Sequence, residues 1–202
     1  MDYSETLEYL FSQLPIYQRT GPAAYKPDLS NTHAILNEVG NPHKEFKSVH
    51  LAGTNGKGSV AHMMASVLQE QGFKTGLYTS PHLKDFRERI LIDGEMITHD
   101  SVVELVENHR SAWSHLSPSF FEITVAMAFW YFAKEQVDIA VIETGLGGRL
   151  DSTNVITPEL SVITNIGFDH VNLLGNTIEK IACEKGGIIK EDIPIVLGEM
   201  NF

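Results

Sequence analysis

Cysteine is almost missing: Cys183 stands alone in 202 residues, so no intramolecular disulfide can staple the chain, and a reducing, cytoplasmic setting is expected. Bases are scarce too. The 15 Lys and Arg are set against 26 Asp and Glu, giving a formal net charge of −11, and no run of bases of the kind that neutralises a nucleic-acid backbone occurs; a nucleic-acid partner is not expected. Long apolar runs are absent. The densest one, FFEITVAMAFWYFA at 120–133, is interrupted by Glu122 and falls short of the roughly 18 residues that suggest a membrane span, so no membrane segment is expected. The start, MDYSETLEYLF, carries acids where a secretory signal carries bases. Repeats and low-complexity tracts are missing as well.

What is present is a 43% apolar, 9% aromatic composition, enough to bury a core in one domain. An acidic balance does not exclude an anionic ligand, because backbone N–H groups, one lysine and a metal ion can reverse the potential locally. The charge therefore points to a small anion gripped at one place.

Apolar residues at 7, 10, 11 and 14 predict a helix over 4–14, which LPIYQRTGPAAYKPDLSN then breaks into a long loop. A second helix is predicted over 32–39, stopped by Gly40 with Pro42 beyond. SVHLA reads as a strand, GTNGKGS as a loop, SVAHMMASVLQEQG as a helix with apolar positions 60, 63, 64, 67 and 68, and KTGLYTS as a strand. That is a βαβ unit, whose crossover is right-handed in nearly all proteins. A polar segment follows. Then FEITVAMAFWYFAKEQ reads as helix, VDIAVIETG and LSVITNIG as strands, NTIEKIACEK as helix and IPIVLG as a last strand. Strands apolar almost throughout suit a parallel sheet covered on both faces. The predicted fold is α/β, a three-layer P-loop-type sandwich with a mostly parallel sheet.

The glycine loop lies between a strand and a helix, the setting in which backbone N–H groups converge on an anion at a helix N-terminus. Gly53, Thr54, Asn55, Gly56, Lys57, Gly58 and Ser59 are the candidate phosphate-binding residues, with Lys57 reaching the terminal phosphates. The string departs from G-x-x-x-x-G-K-S/T, since Leu occupies position 51 and Gly58 separates Lys57 from Ser59; the bland alternative is a tight turn with an incidental lysine. Glu143 ends an otherwise apolar strand, where ligands bind in open α/β sheets. A charge there needs a partner, either Arg149 or magnesium held jointly with phosphate oxygens. Asp169 and His170 follow the end of the next strand. Lys185 near the end of a helix reads by default as a solvated surface lysine, and His50, His62 and His82 as structural.

The loop resembles that of the Mur ligase superfamily. YTSPHLKDFRERI (78–90), IETGLGGRLDSTN (142–154), ITNIGFDH (163–170) and ACEKGGIIK (182–190) narrow the resemblance to the folylpolyglutamate synthase and dihydrofolate synthase family, in its motif order and at its spacing. The resemblance implies ATP and magnesium as cofactors, with Lys57, His170 and Lys185 catalytic. It implies that Glu143 and Ser80 ligate a first magnesium, that His170 contacts a second, and that Lys185 is carbamylated to help bind it. Gly186 stands where that family's pattern has Ala. The implied reaction is ATP-dependent: a folate or dihydropteroate carboxylate becomes an acyl phosphate, and the amine of L-glutamate attacks it. Phe86 and Arg87 become candidate folate contacts, and segment 15–30 a candidate wall for the pterin. Members are longer than this chain, which implies that 1–202 is the N-terminal part of an incomplete ATP-binding domain of the Mur ligase central type. The C-terminal domain would then be absent, this stretch inactive alone, and the full-length protein a monomer. A P-loop kinase or NTPase would share the glycine loop but not the SPHL and EKGGI strings, and a non-catalytic nucleotide-binding module is a further alternative.

Overall fold

The structure, a computed structural model, describes residues 1–15 and 28–199. Seven strands, β1 (Lys47–Ala52), β2 (Thr75–Tyr78), β3 (Ile90–Ile92), β4 (Glu95–Met96), β5 (Ile139–Glu143), β6 (Leu160–Asn165) and β7 (Ile195–Glu199), form one sheet in the order β4-β3-β2-β5-β1-β6-β7. The five strands from β2 to β7 are parallel, and β3 and β4 add an antiparallel edge. Leu51 of β1 is in register with Glu143 on one side and Val162 on the other. The carboxyl ends of the three central strands therefore open at one level, where such sheets bind ligands.

The helices are α1 (Tyr3–Glu8), α2 (Ser30–Glu38), α3 (Lys57–Glu70), α4 (His99–Trp113), α5 (Phe120–Lys134), α6 (Val171–Leu174) and α7 (Ile178–Gly186). Alternation along the strands sorts the sheet's two faces. Val49, Leu51, Leu77, Val141 and Val162 pack with Ala61 and Ala65 of α3, whereas Tyr78, Ala140 and Ile142 join the larger core with α5, α4 and α2. The result is the expected three-layer sandwich. The apolar stretch at 120–133 is α5, whose Ile123, Val125, Met127, Phe129 and Phe132 are all fully buried; a helix apolar all round belongs in an interior. No helix among the described residues is long and apolar enough to cross a membrane.

Several elements differ from the sequence reading. The first helix passes at Tyr9–Gln13 into a π-helical turn. Lys57, Gly58 and Ser59 already form the first turn of α3, so the glycine loop proper is 53–56. The polar segment after β2 holds two unforeseen elements, the β3–β4 hairpin and α4. Asp93 and Gly94 both sit at positive φ, 49° and 83°, the turn that matches strand twist. Thr98 caps α4 by accepting from Ser101 N–H, and α4 buries Val102, Leu105, Val106 and Trp113. The expectation that segment 15–30 walls the pterin falls mostly on 16–27, outside the described residues.

Candidate nucleotide and metal site

β1 delivers the chain into the 53–56 loop, and Gly56 (φ 79°) turns it into α3 as an N-cap with no side-chain hydrogen bond. The first-turn N–H groups of α3 have no intrahelical partner, and the positive end of the helix dipole points into the loop. The loop is clasped to the end of β6. Thr54 N–H donates to Asn165 O at 3.1 Å, and Asn55 N–H to Asn165 Oδ1 at 2.9 Å. Thr164 Oγ1 donates to Asn55 O at 2.7 Å, and Gly167 N–H to Thr54 Oγ1 at 3.0 Å. Gly53 lies so close to β6 that a Cβ there would stand 1.9 Å from Thr164 Oγ1. Thr164 and Asn165 fall within the ITNIGFDH string, but their clasp on the loop could not be read from it, because each acts through a contact more than 100 residues away.

Two lysines converge on one carbonyl. Lys57 Nζ donates to Gly53 O at 3.0 Å and Lys185 Nζ to the same oxygen at 2.9 Å. Lys185 is 1% exposed, which overturns the reading of a solvated surface lysine. It sits four residues after Ile181 on the inward face of α7. Burial first, then the positive charge of Lys57, lowers its pKa to about 8, with Asp169 opposing. The helix gets this close because Gly187 has no side chain: a Cβ there would meet Arg149 Cα at 2.3 Å. At Gly186 a Cβ would meet only Ile189 Cδ1 at 3.9 Å, which leaves room for the Ala of the resembled pattern.

Glu143 shares the parity of Val141 and so faces α3. It is 4% exposed, and its Oε2 accepts from Ser80 N–H at 3.1 Å. Burial pushes its pKa up, partly offset by the Ser80 amide and by Lys57. Arg149 is not its partner, contrary to one of the two expectations, because the Arg149 guanidinium pairs with Glu184 at 2.7 Å. A buried carboxylate with no ion pair among the described residues, beside a loop built for phosphate, suits a hard cation that shares phosphate oxygens. Asp169 and His170 lie just past β6, and exposed His170 (φ 44°) starts α6 with Nε2 3.4 Å from Asp169 Oδ1. Among the described residues no three His, Cys, Asp or Glu side chains gather as a metal-holding group. The Glu143 carboxylate, with Ser80 beside it, thus fits a magnesium completed by a nucleotide rather than a cage made by the chain alone.

The two candidate folate contacts lie in the segment between β2 and β3. Phe86 is 3% exposed, with its ring packed edge-on against Phe11, Phe120 and His82; it belongs to the core. Arg87 is held by Asp85 at 2.7 Å beside the Tyr3 ring. Of the three histidines left as structural, His50 is buried, His82 half-buried and His62 exposed on α3. His50 is fully buried, with its pKa lowered to about 3 by burial, and its Nε2 lies 2.8 Å from Thr153 Oγ1. His62 Nδ1 lies 2.8 Å from Gly58 O, and His82 Nδ1 accepts from Arg89 Nε. Asp151 was missed by the sequence reading. Buried at 3% exposure, it accepts from Leu146 N–H at 2.8 Å and from Thr153 N–H at 3.0 Å, which ties down the turn after Glu143.

Residues 51–195 match the Mur ligase middle domain. The chain is 44% identical over 207 residues to a folylpolyglutamate synthase of Lacticaseibacillus casei, covering 99% of this chain and 47% of that protein. It is 48% identical over 178 residues to a dihydrofolate synthase/folylpolyglutamate synthase of Bacillus subtilis, covering 85% and 41%. A solved structure described as an FPGS-AMPPCP-folate complex superposes with a TM-score of 0.92 at 44% identity, over 100% of this chain and 49% of that one. The chain thus spans about half the length of the curated relatives it matches.

Proposed function

Because the chain belongs to the Mur ligase family through its middle domain, we propose that it forms the nucleotide-gripping part of an ATP-dependent amide ligase, which adds L-glutamate to a folate or dihydropteroate carboxylate through an acyl phosphate. The observation that carries this reading is the convergence of Lys57 and buried Lys185 on Gly53 O, with the Lys57 charge acting on the Glu143 carboxylate, which has no ion pair among the described residues.

A carboxylate is a poor electrophile, and bringing anionic phosphate to it needs cations. ATP supplies the phosphoryl group that activates the carboxylate. The protein's part is to bind, orient and neutralise. The N–H groups of the first turn of α3 take the phosphates, and Lys57 exchanges Gly53 O for a phosphate oxygen. Glu143, with Ser80 beside it, would hold a magnesium that neutralises phosphate charge. Lys185, with its lowered pKa, has a neutral fraction near physiological pH that would attack carbon dioxide and give up a proton to solvent, and the resulting anionic carbamate would help His170 hold a second magnesium. Catalysis is then positioning and charge stabilisation, as in other phosphoryl transfers. Glutamate addition and folate specificity rest on the relatives' names and on the folate in the superposed complex. The low base content and single cysteine favour a cytoplasmic enzyme without a nucleic-acid partner.

In the complete protein, ADP release should require both the folate-type carboxylate and L-glutamate. ADP release indifferent to glutamate would indicate a kinase or NTPase, and nucleotide binding without turnover a non-catalytic module.

A further inference from the structure

The loop joining β2 to β3, residues 79–89, is braced by its own charged side chains. The Glu88 carboxylate accepts three consecutive amides, from Leu83 at 2.6 Å, Lys84 at 3.0 Å and Asp85 at 2.8 Å. Asp85 accepts from Arg87 N–H at 2.9 Å. Arg89 closes the loop at two points: its carbonyl accepts Thr79 N–H at 3.1 Å, and its Nε–H donates to His82 Nδ1 at 2.7 Å. Arg89 is 5% exposed, with its guanidinium 5.4 Å from the Phe120 ring centre and no ion pair among the described residues. An arginine is always a donor, so His82 Nδ1 must be the acceptor and the ring proton sits on Nε2.

Between the two points that Arg89 holds, Thr79 and His82, lies Ser80, whose N–H is the hydrogen bond to Glu143. We propose that Arg89 and Glu88 are positioning residues, which hold the Ser80 amide on one oxygen of Glu143 and so keep its carboxylate aimed for the cation. Neither side chain touches that carboxylate; they act by removing the freedom of the loop that does. A carboxylate buried at the mouth of a phosphate loop can rotate, and a fixed N–H on Oε2 selects one orientation at no cost at the moment of binding. The functional consequence rests on the magnesium role proposed for Glu143, whereas the bracing rests on the hydrogen bonds alone.

The test combines amide hydrogen exchange with magnesium titration, using the complete protein and the variants Arg89→Met and Glu88→Gln. Exchange at the Ser80 amide should quicken at least tenfold in each variant, while the β5 amides keep their wild-type rates. The 15N shifts of His82 should show the Nε2–H tautomer in wild type and lose that signature in Arg89→Met. The magnesium concentration for half-maximal turnover should rise several-fold, with kcat at saturating magnesium retained. Should Arg89→Met fail to fold, Glu88→Gln alone decides, since half-buried Glu88 keeps its shape as an amide. Unchanged Ser80 exchange overturns the proposal. So does quickened exchange with an unchanged magnesium requirement. A wild-type protein with no ligase turnover would refute the proposed function, and the exchange data would still decide the bracing.

Discussion

Replacing Lys185 with Met should stabilise the protein at neutral pH, by an amount that disappears as the pH rises. Lys185 is 1% exposed, and its pKa falls from 10.5 to about 8 on folding. Between those values the unfolded chain binds more protons than the folded one, so raising the pH favours the wild-type fold. At about 1.4 kcal/mol per pH unit, the interval corresponds to about 3 kcal/mol of stability present above pH 10.5 and lost as the pH falls through 8. Lys185→Met is free of this dependence. It gives up the hydrogen bond to Gly53 O, worth about 1 kcal/mol, so the variant should be more stable by about 2 kcal/mol at pH 7 and less stable than wild type near pH 10.5. The assay is urea unfolding of both proteins across that range in buffer stripped of carbon dioxide, so that the free amine is compared. Parallel pH profiles would refute the reasoning and mean that the ammonium is solvated.

Lys57→Ala should weaken ATP binding by ten- to a hundredfold, the loss of one charge-assisted contact of about 1.5–3 kcal/mol, as measured by calorimetry; unchanged affinity would remove Lys57 from the phosphate site. Glu143→Gln should keep the wild-type melting temperature or raise it slightly, because a buried carboxylate becomes neutral, and should raise the magnesium requirement for turnover; identical magnesium titrations would count against the cation role. Gly187→Ala should cost about 2 kcal/mol or more, since the clash is with backbone at 2.3 Å. Gly186→Ala, with its nearest contact at 3.9 Å, should be neutral or gain up to about 1 kcal/mol from helix propensity; equal melting temperatures for the two would contradict the packing account.

The β1–loop–α3 unit was legible because every part of it has a local signature: an apolar run, glycines and a 3.6-residue stripe. So was Glu143, a charge at the end of the apolar β5. The β3–β4 hairpin escaped because strands of three and two residues are too short for alternation to show, although Asp93-Gly94 is a turn signal. α4 was hidden by its polar outer face, with the capping threonine Thr98 as its only sharp mark. The burial of Phe86 was hidden for a different reason: a motif fixes where a residue stands in the chain, but whether its ring points inward is decided by Phe11 and Phe120, distant in sequence. The clasp of Thr164 and Asn165 on the glycine loop, and the burial of Lys185, exist only once β6 and α7 dock beside β1.

The central claim is that this site activates a carboxylate by phosphorylating it. Supplying the complete protein with ATP, magnesium, L-glutamate and a folate substrate labelled with 18O in its reacting carboxylate, then weighing the released phosphate by mass spectrometry, tests that claim directly. Each phosphate should carry one 18O atom, because the carboxylate oxygen leaves with the phosphoryl group when glutamate attacks. Unlabelled phosphate released in step with amide formation would contradict the account.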